Sequence, residues 1–131
     1  MTAFTPRGQS YLQPRLEEAL LRAGSTHDWV RDVVPRLCDG RAQWHGSPDG
    51  RGAIITEIIN YPAYKVVNYW LAAGELRACL SLVPGIEDWA RGENCVRAIG
   101  LGRPGFRRIL GDVGVECVGL AYSKSLVEGP R

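Results

Sequence analysis

The sequence predicts a mixed α/β domain in which helices flank a mainly antiparallel sheet. Two amphipathic stretches precede the first strand pattern. Three β-type runs then follow with turn residues between them. A long apolar stripe at helical spacing separates the third run from the later β segments, an order that builds a sheet covered by helices. The 131 residues, 45% hydrophobic and 23% charged, have the balance of a globular domain with one core. A chain of this size buries roughly two-thirds of its unfolded surface.

The elements follow in order. Residues 1–13 are polar and contain Gly and Pro, so they read as a flexible arm. Residues 14–127 read as a single domain and residues 128–131 as a frayed tail. Pro14 opens a helix at a position where proline is tolerated. Leu16, Leu20 and Ala23 share one face, and Glu17 and Glu18 stand near the positive end. Gly24 stops the helix. Ser25 or Thr26 caps a second helix, with Asp28 placed to answer a Ser25 cap. Trp29, Val33 and Leu37 form its stripe, Pro35 bends it and Gly40 ends it.

A short strand over residues 42–45 contains Trp44, and Ser47-Pro48-Asp49-Gly50 is a turn. Residues 53–60 form the next strand, which Tyr61-Pro62 breaks. In a third strand, residues 64–71, Val66, Asn68 and Trp70 point to one side, Val67 and Tyr69 to the other. Ala72-Ala73-Gly74 turns the chain. Residues 76–93 are helical, with Leu76, Cys79, Leu80, Val83, Ile86, Trp89 and Ala90 on the stripe. Pro84-Gly85 splits or kinks that helix. Residues 95–101 form a short strand, Pro104 to Leu110 a short helix, and residues 115–126 a final strand, whole or broken at Gly119.

A net charge of +2 suggests neither a nucleic-acid binder nor a membrane-surface protein. No stretch approaches the ~18 apolar residues of a membrane span, and residues 1–10 carry no apolar run of the secretory kind. Cys38, Cys79, Cys95 and Cys117 form no CxxC or Cys/His cluster. They read as reduced buried thiols in a cytoplasmic protein, with no metal site. His27 and His45 are isolated and read as surface or capping histidines. Glu57 stands in an apolar strand, Ile54-Ile55-Thr56-Glu57-Ile58-Ile59. It is either a base for an amine, or a residue on the solvent face or paired with an arginine.

From residue 64 on, the order strand, long helix, strand, short helix, strand resembles the carboxy-terminal half of the GCN5-related N-acetyltransferase (GNAT) fold. Finer pieces are similar to a set of small GNAT-like phage and prophage proteins. These are Thr56-Glu57-Ile58 with Tyr61-Pro62, Trp70-Leu71-Ala72-Ala73-Gly74-Glu75-Leu76, Ile86-Glu87-Asp88-Trp89-Ala90, Gly102-Arg103-Pro104-Gly105-Phe106 and Lys124-Ser125-Leu126. The resemblance covers residues 43–126 and implies a GNAT-like mixed sheet.

It also exposes departures. The family's pyrophosphate loop reads Q/R-x-x-G-x-G/A. The corresponding place here, Ala72-Ala73-Gly74-Glu75-Leu76-Arg77, has one glycine and an acidic residue. Arg97-Ala98-Ile99-Gly100-Leu101-Gly102 matches the pattern but comes a helix too late. The family's acid tyrosine falls on Leu110, with Tyr122 as its substitute.

The resemblance thus implies a non-enzymatic virion or morphogenesis component without a cofactor. Such a protein binds other virion proteins or its own copies, in the host cytoplasm and then in the particle. Its contacts are Phe4, Tyr11 and Leu12 on the arm and a patch of Arg103, Phe106, Arg107 and Arg108. The alternative is an acetyl-CoA-dependent N-acetyltransferase acting on a small or protein amine. Glu57 and Tyr122 are then catalytic, and the main chain of Trp70, Leu71, Ala72, Ala73 and Gly74 holds the coenzyme. A third reading is a nucleic-acid-binding accessory protein using Arg103, Arg107 and Arg108.

Overall fold

The computed structural model describes residues 11–22, 27–100, 110–112, 114–119, 122 and 124–126. The chain divides into two compact units, Met1–Gly100 and Leu101–Arg131.

In the first unit, helix α1 spans Leu12–Arg22. It begins before Pro14, which therefore stands in the first turn, where a missing N–H leaves no bond unmade. Leu12, Leu16 and Leu20 recur every four residues and are all buried. Leu12 is in phase with that face, so it belongs to the chain's own core, and Tyr11 packs against the same cluster. The arm reading does not hold for these two residues. The Gly24 stop and the Ser25 or Thr26 cap lie outside the described residues.

The second helical segment takes Asp28 as its cap. Asp28 accepts from the Arg31 N–H at 2.9 Å, while Asp32 Oδ2 accepts from the Asp28 N–H at 2.6 Å. It opens as a π-turn, Trp29–Val33, closed by the Val34 N–H donating to the Trp29 carbonyl. It continues as α2, Val34–Cys38, with Pro35 in the first α-turn. Proline starts the α-helical part here and does not bend its interior. Trp29 and Val33 are buried and Leu37 packs beside them.

The sheet has the order β1-β2-β3-β4: β1 Gln43–Gly46, β2 Gly52–Asn60, β3 Lys65–Gly74 and β4 Cys95–Gly100. The pairs β1–β2 and β2–β3 are antiparallel, and β3–β4 is parallel. A parallel return needs a crossover, and α3, Leu76–Gly92, supplies it. Ala72-Ala73-Gly74 does not turn the chain. Gly52 pairs with Gly74, Ala53 with Ala73 and Ile54 with Ala72, so β3 runs to the start of α3.

Strand β3 also carries a bulge. Ile55 pairs with Leu71 and Thr56 with Tyr69, leaving Trp70 as the extra residue. The strict alternation expected for β3 breaks there, and Trp70 and Leu71 both pack with the α1 cluster. That cluster joins Leu12, Leu16, Leu20, Trp29 and Val33 to Ala53, Ile55 and Leu71 on one face of the sheet.

Helix α3 covers the other face. It runs through Pro84 without a break. Proline removes one hydrogen bond of the ladder, while Ala78, Leu82, Ile86 and Ala90 bury an unbroken i, i+4 stripe. The buried stripe is rotated from the expected one. Leu76 is exposed, and Cys79, Val83 and Trp89 flank the stripe.

In the second unit, Leu110 and Gly111 are helical. The Val115 N–H donates to the Leu110 carbonyl at 3.0 Å. Residues 115–119, expected in the last strand, are not in a strand, and the same holds for Tyr122 and residues 124–126. The rest of the expected short helix lies outside the described residues.

Candidate functional site

The β-bulge at Trp70 lies one residue past the last described pairing of β3 with β4. Among the described residues, parallel pairing of β3 with β4 runs from Lys65/Cys95 to Tyr69/Gly100. Beyond it, from Trp70 to Gly74, β3 has β2 on one side and no partner strand on the other among the described residues. Main-chain N–H and C=O groups on such an edge demand partners. Ala72 and Gly74 are exposed and Ala73 half-buried, so small side chains leave this edge accessible.

The edge leads into the N-terminus of α3. Gly74 has φ +105°, in the left-handed region where glycine is favoured. The Glu75 N–H donates to the Arg51 carbonyl at 2.8 Å, which fixes the helix start against the β1–β2 hairpin. The Glu75 side chain does not cap the helix. It lies 3.9 Å from Arg51 Nη1 in an exposed ion pair. The free N–H groups of the first turn make that end attractive to anions, and Glu75 opposes that attraction.

Glu57 lies on the α1 face. Arg36 Nη1 donates to Glu57 Oε2 at 3.0 Å, and both side chains are largely covered. The pairing with an arginine is therefore the outcome for Glu57. The same guanidinium stands 5.3 Å from the centre of the Trp70 ring, and the His27 ring meets Trp70 edge-on at 5.6 Å. Asn68 pairs with Glu57 across the ladder, which puts the two side chains on one face. Arg36 was not singled out by the sequence. Its only signal there is a place one turn after Asp32 on a short helix.

The other predicted site residues are placed differently. Tyr122 belongs to the second unit and is 90% exposed. Leu110, at the acid position, is half-buried. Tyr11 is covered by its own chain: the Arg15 guanidinium stands 3.8 Å and that of Arg51 5.4 Å from its ring centre. Phe4, Arg103, Phe106, Arg107 and Arg108 lie outside the described residues.

His45 is not a surface histidine. It is 3% exposed, faces α3, and stands 5.2 Å from Trp89 edge-to-face. Burial pulls its pKa down to about 4. Cys38 and Cys117 are exposed, Cys79 half-buried and Cys95 buried, so only part of the buried-thiol expectation holds. Burial raises the Cys79 and Cys95 thiol pKa values. Among the described residues no group of His, Cys, Asp and Glu could hold a metal ion, and no helix is long and apolar enough to cross a membrane.

No family model matches the chain, and no curated protein matches it. Solved structures do. A probable acetyltransferase aligns over 95% of this chain and 97% of its own, with a TM-score of 0.70 and 11% identity. Glucosamine-6-phosphate N-acetyltransferase from Arabidopsis thaliana aligns over 92% of each chain, with a TM-score of 0.58 and 10% identity. An acetyltransferase from Trypanosoma brucei covers 83% of this chain and 89% of its own, with a TM-score of 0.58 and 12% identity. At such identities the likeness shows the fold. The chain has the GNAT-like fold, a mixed α/β arrangement whose mostly antiparallel sheet has four strands among the described residues and is flanked by helices.

Proposed function

We propose that this chain binds acetyl-coenzyme A along β3 between Trp70 and Gly74 and passes the acetyl group to an amine. The observation that carries the reading is the stretch of β3 from Trp70 to Gly74, which pairs with β2 on one side and runs through small side chains to the start of α3. Main-chain groups between Trp70 and Gly74 suit the amide-bearing arm of the coenzyme, which can pair as an added strand does. The first turn of α3 suits its phosphates. The nearby Arg51 offsets part of the charge of Glu75. The coenzyme supplies an activated thioester: an N–C bond forms as the C–S bond breaks, and the thiol leaves with a proton given up by the amine. Glu57 Oε1 is the chain's own proton acceptor in this reading, and Arg36 fixes the carboxylate through Oε2.

Isothermal titration with acetyl-coenzyme A tests this. A dissociation constant in the micromolar range, roughly −8 kcal/mol, is the expected result. Absence of saturable heat at millimolar coenzyme overturns it.

A second reading is a GNAT-fold virion component that acts by binding other phage proteins. Two observations weigh against acetyl transfer and so leave room for it: Arg36 already engages Glu57, and Glu75 stands at the anion-seeking end of α3. Purified particles that contain the protein, together with no coenzyme binding, would support this reading over the first.

A further inference from the structure

The Arg36–Glu57 pair keeps further polar atoms within reach of solvent, and the arrangement of those atoms suits a particular ligand. Arg36 gives one N–H to Glu57, and Glu57 takes it on Oε2 alone. The remaining guanidinium N–H groups of Arg36 and Glu57 Oε1 have no hydrogen-bond partner among the described residues. The Asn68 amide, opposite Glu57 in the ladder, is equally unengaged there. Trp70, with the His27 ring edge-on to it, walls this polar island on one side, and the island borders the apolar face formed by Ala53, Ile55 and Leu71.

Charge balance narrows the class of ligand. The pair is neutral as it stands. A bare amine or a bare carboxylate would add an uncompensated charge to a largely covered site, which is costly. A ligand carrying both groups adds none. Its carboxylate fits the free N–H groups of Arg36, a fork suited to carboxylates. Its ammonium fits Glu57 Oε1 and the Asn68 carbonyl oxygen. We infer that the island formed by Arg36, Glu57, Asn68 and Trp70 binds the amino and carboxylate groups of an α-amino acid or of a peptide end that presents both. As the acceptor site this rests on the acetyl-transfer reading; as a binding site it can be measured without the coenzyme.

The experiment uses three ligands of matched size, L-alanine, isopropylamine and isobutyrate, titrated into the ¹⁵N-labelled chain without coenzyme. The indole N–H of Trp70, assigned with Trp70→Phe, is the reporter. Saturable shifts are expected with L-alanine at least tenfold more tightly than with either of the other two, and Arg36→Gln is expected to weaken it at least tenfold. Equal responses to the three ligands, or no saturable shift with L-alanine at ~100 mM, overturn the inference whatever the variant does. Coenzyme titration is scored separately. Coenzyme binding without L-alanine binding sinks this inference and leaves the acetyl-transfer reading. The reverse result sinks that reading and keeps the amino-acid site.

Discussion

His45 Nε2 lies 2.8 Å from Thr56 Oγ1, between β1 and β2, and both residues are closed to solvent. The direction of the bond follows from its neighbours. Gln43 Nε2 donates to the Gly40 carbonyl at 3.0 Å, so its amide oxygen faces Thr56, whose hydroxyl donates to it at 3.2 Å. The hydroxyl has one proton, so the hydrogen between Thr56 and His45 comes from the imidazole. The neutral ring protonated at Nε2 completes the chain.

The first prediction follows from that ring. Burial lowers the pKa of His45 from 6.5 to about 4. The unfolded chain therefore takes up a proton below pH 6.5 that the folded chain refuses until about pH 4. Stability is unaffected by this group above pH 6.5, falls as pH drops through that window, and then levels. At pH 4.5 the loss is about 2 kcal/mol. Urea denaturation of the native chain and of His45→Gln at pH 7 and pH 4.5 measures it. The native chain should lose about 2 kcal/mol more than the variant across that interval. Equal losses would place the ring in contact with water.

A second prediction concerns the close contact of β2 with α3. A Cβ on Gly52 would stand 2.8 Å from Ala78 Cβ and 3.0 Å from the Cys79 backbone nitrogen. A Cβ on Gly74 would run into the Arg51 carbonyl at a φ of +105°. Gly52→Ala should cost about 2 kcal/mol, because helix backbone must move. Gly74→Ala should cost more, since strain adds to the clash. Gly50→Ala is the control: its φ is +73° and nothing lies within 4 Å, so it carries conformational strain alone. A smaller loss for Gly74→Ala than for Gly50→Ala in denaturant melts would contradict this packing.

Leu12 gives a third. Its side chain is 3% exposed beside Leu16. Leu12→Ala should cost about 2–4 kcal/mol, as large-to-small changes in cores do. A loss below about 0.5 kcal/mol, the scale of surface changes, would return Leu12 to a free arm.

These residues also show what the sequence could reveal. The order of helices and strands through Gly100 was legible because turn residues and apolar periodicity are local signals. The bulge at Trp70 was not. A strict two-residue period carries no mark of one extra residue, and ladder pairing decides it. Ala72-Ala73-Gly74 read as a turn because small residues favour turns, yet pairing with Gly52–Ile54 extends the strand. Leu12 was missed because Pro14 looked like a start, although its four-residue spacing from Leu16 was on view. The Arg36–Glu57 pair joins residues 21 positions apart, a separation at which charge patterning names no partner. The buried His45 chain was hidden for the same reason: it depends on the register that sets Gln43 opposite Thr56.

The last prediction returns to the bulge. Trp70 is half-buried and rests on the α1 cluster, with the Arg36 guanidinium 5.3 Å from its ring centre. A fully buried indole cut to alanine costs about 3–5 kcal/mol. Partial exposure brings the expected cost of Trp70→Ala to about 2–3 kcal/mol. The guanidinium over the ring should appear as coupling. Trp70→Ala and Arg36→Ala together should differ from the sum of the single changes by about 0.5–1 kcal/mol. The Arg36–Glu57 cycle should give about 1 kcal/mol by the same method, because both side chains are largely covered. Denaturant melts of the three single and two double variants supply both cycles. Strict additivity for Trp70 and Arg36, with coupling retained for Arg36 and Glu57, would show that the guanidinium is held by the carboxylate alone. The indole would then be only a wall for the apolar core, not for the polar island beside it.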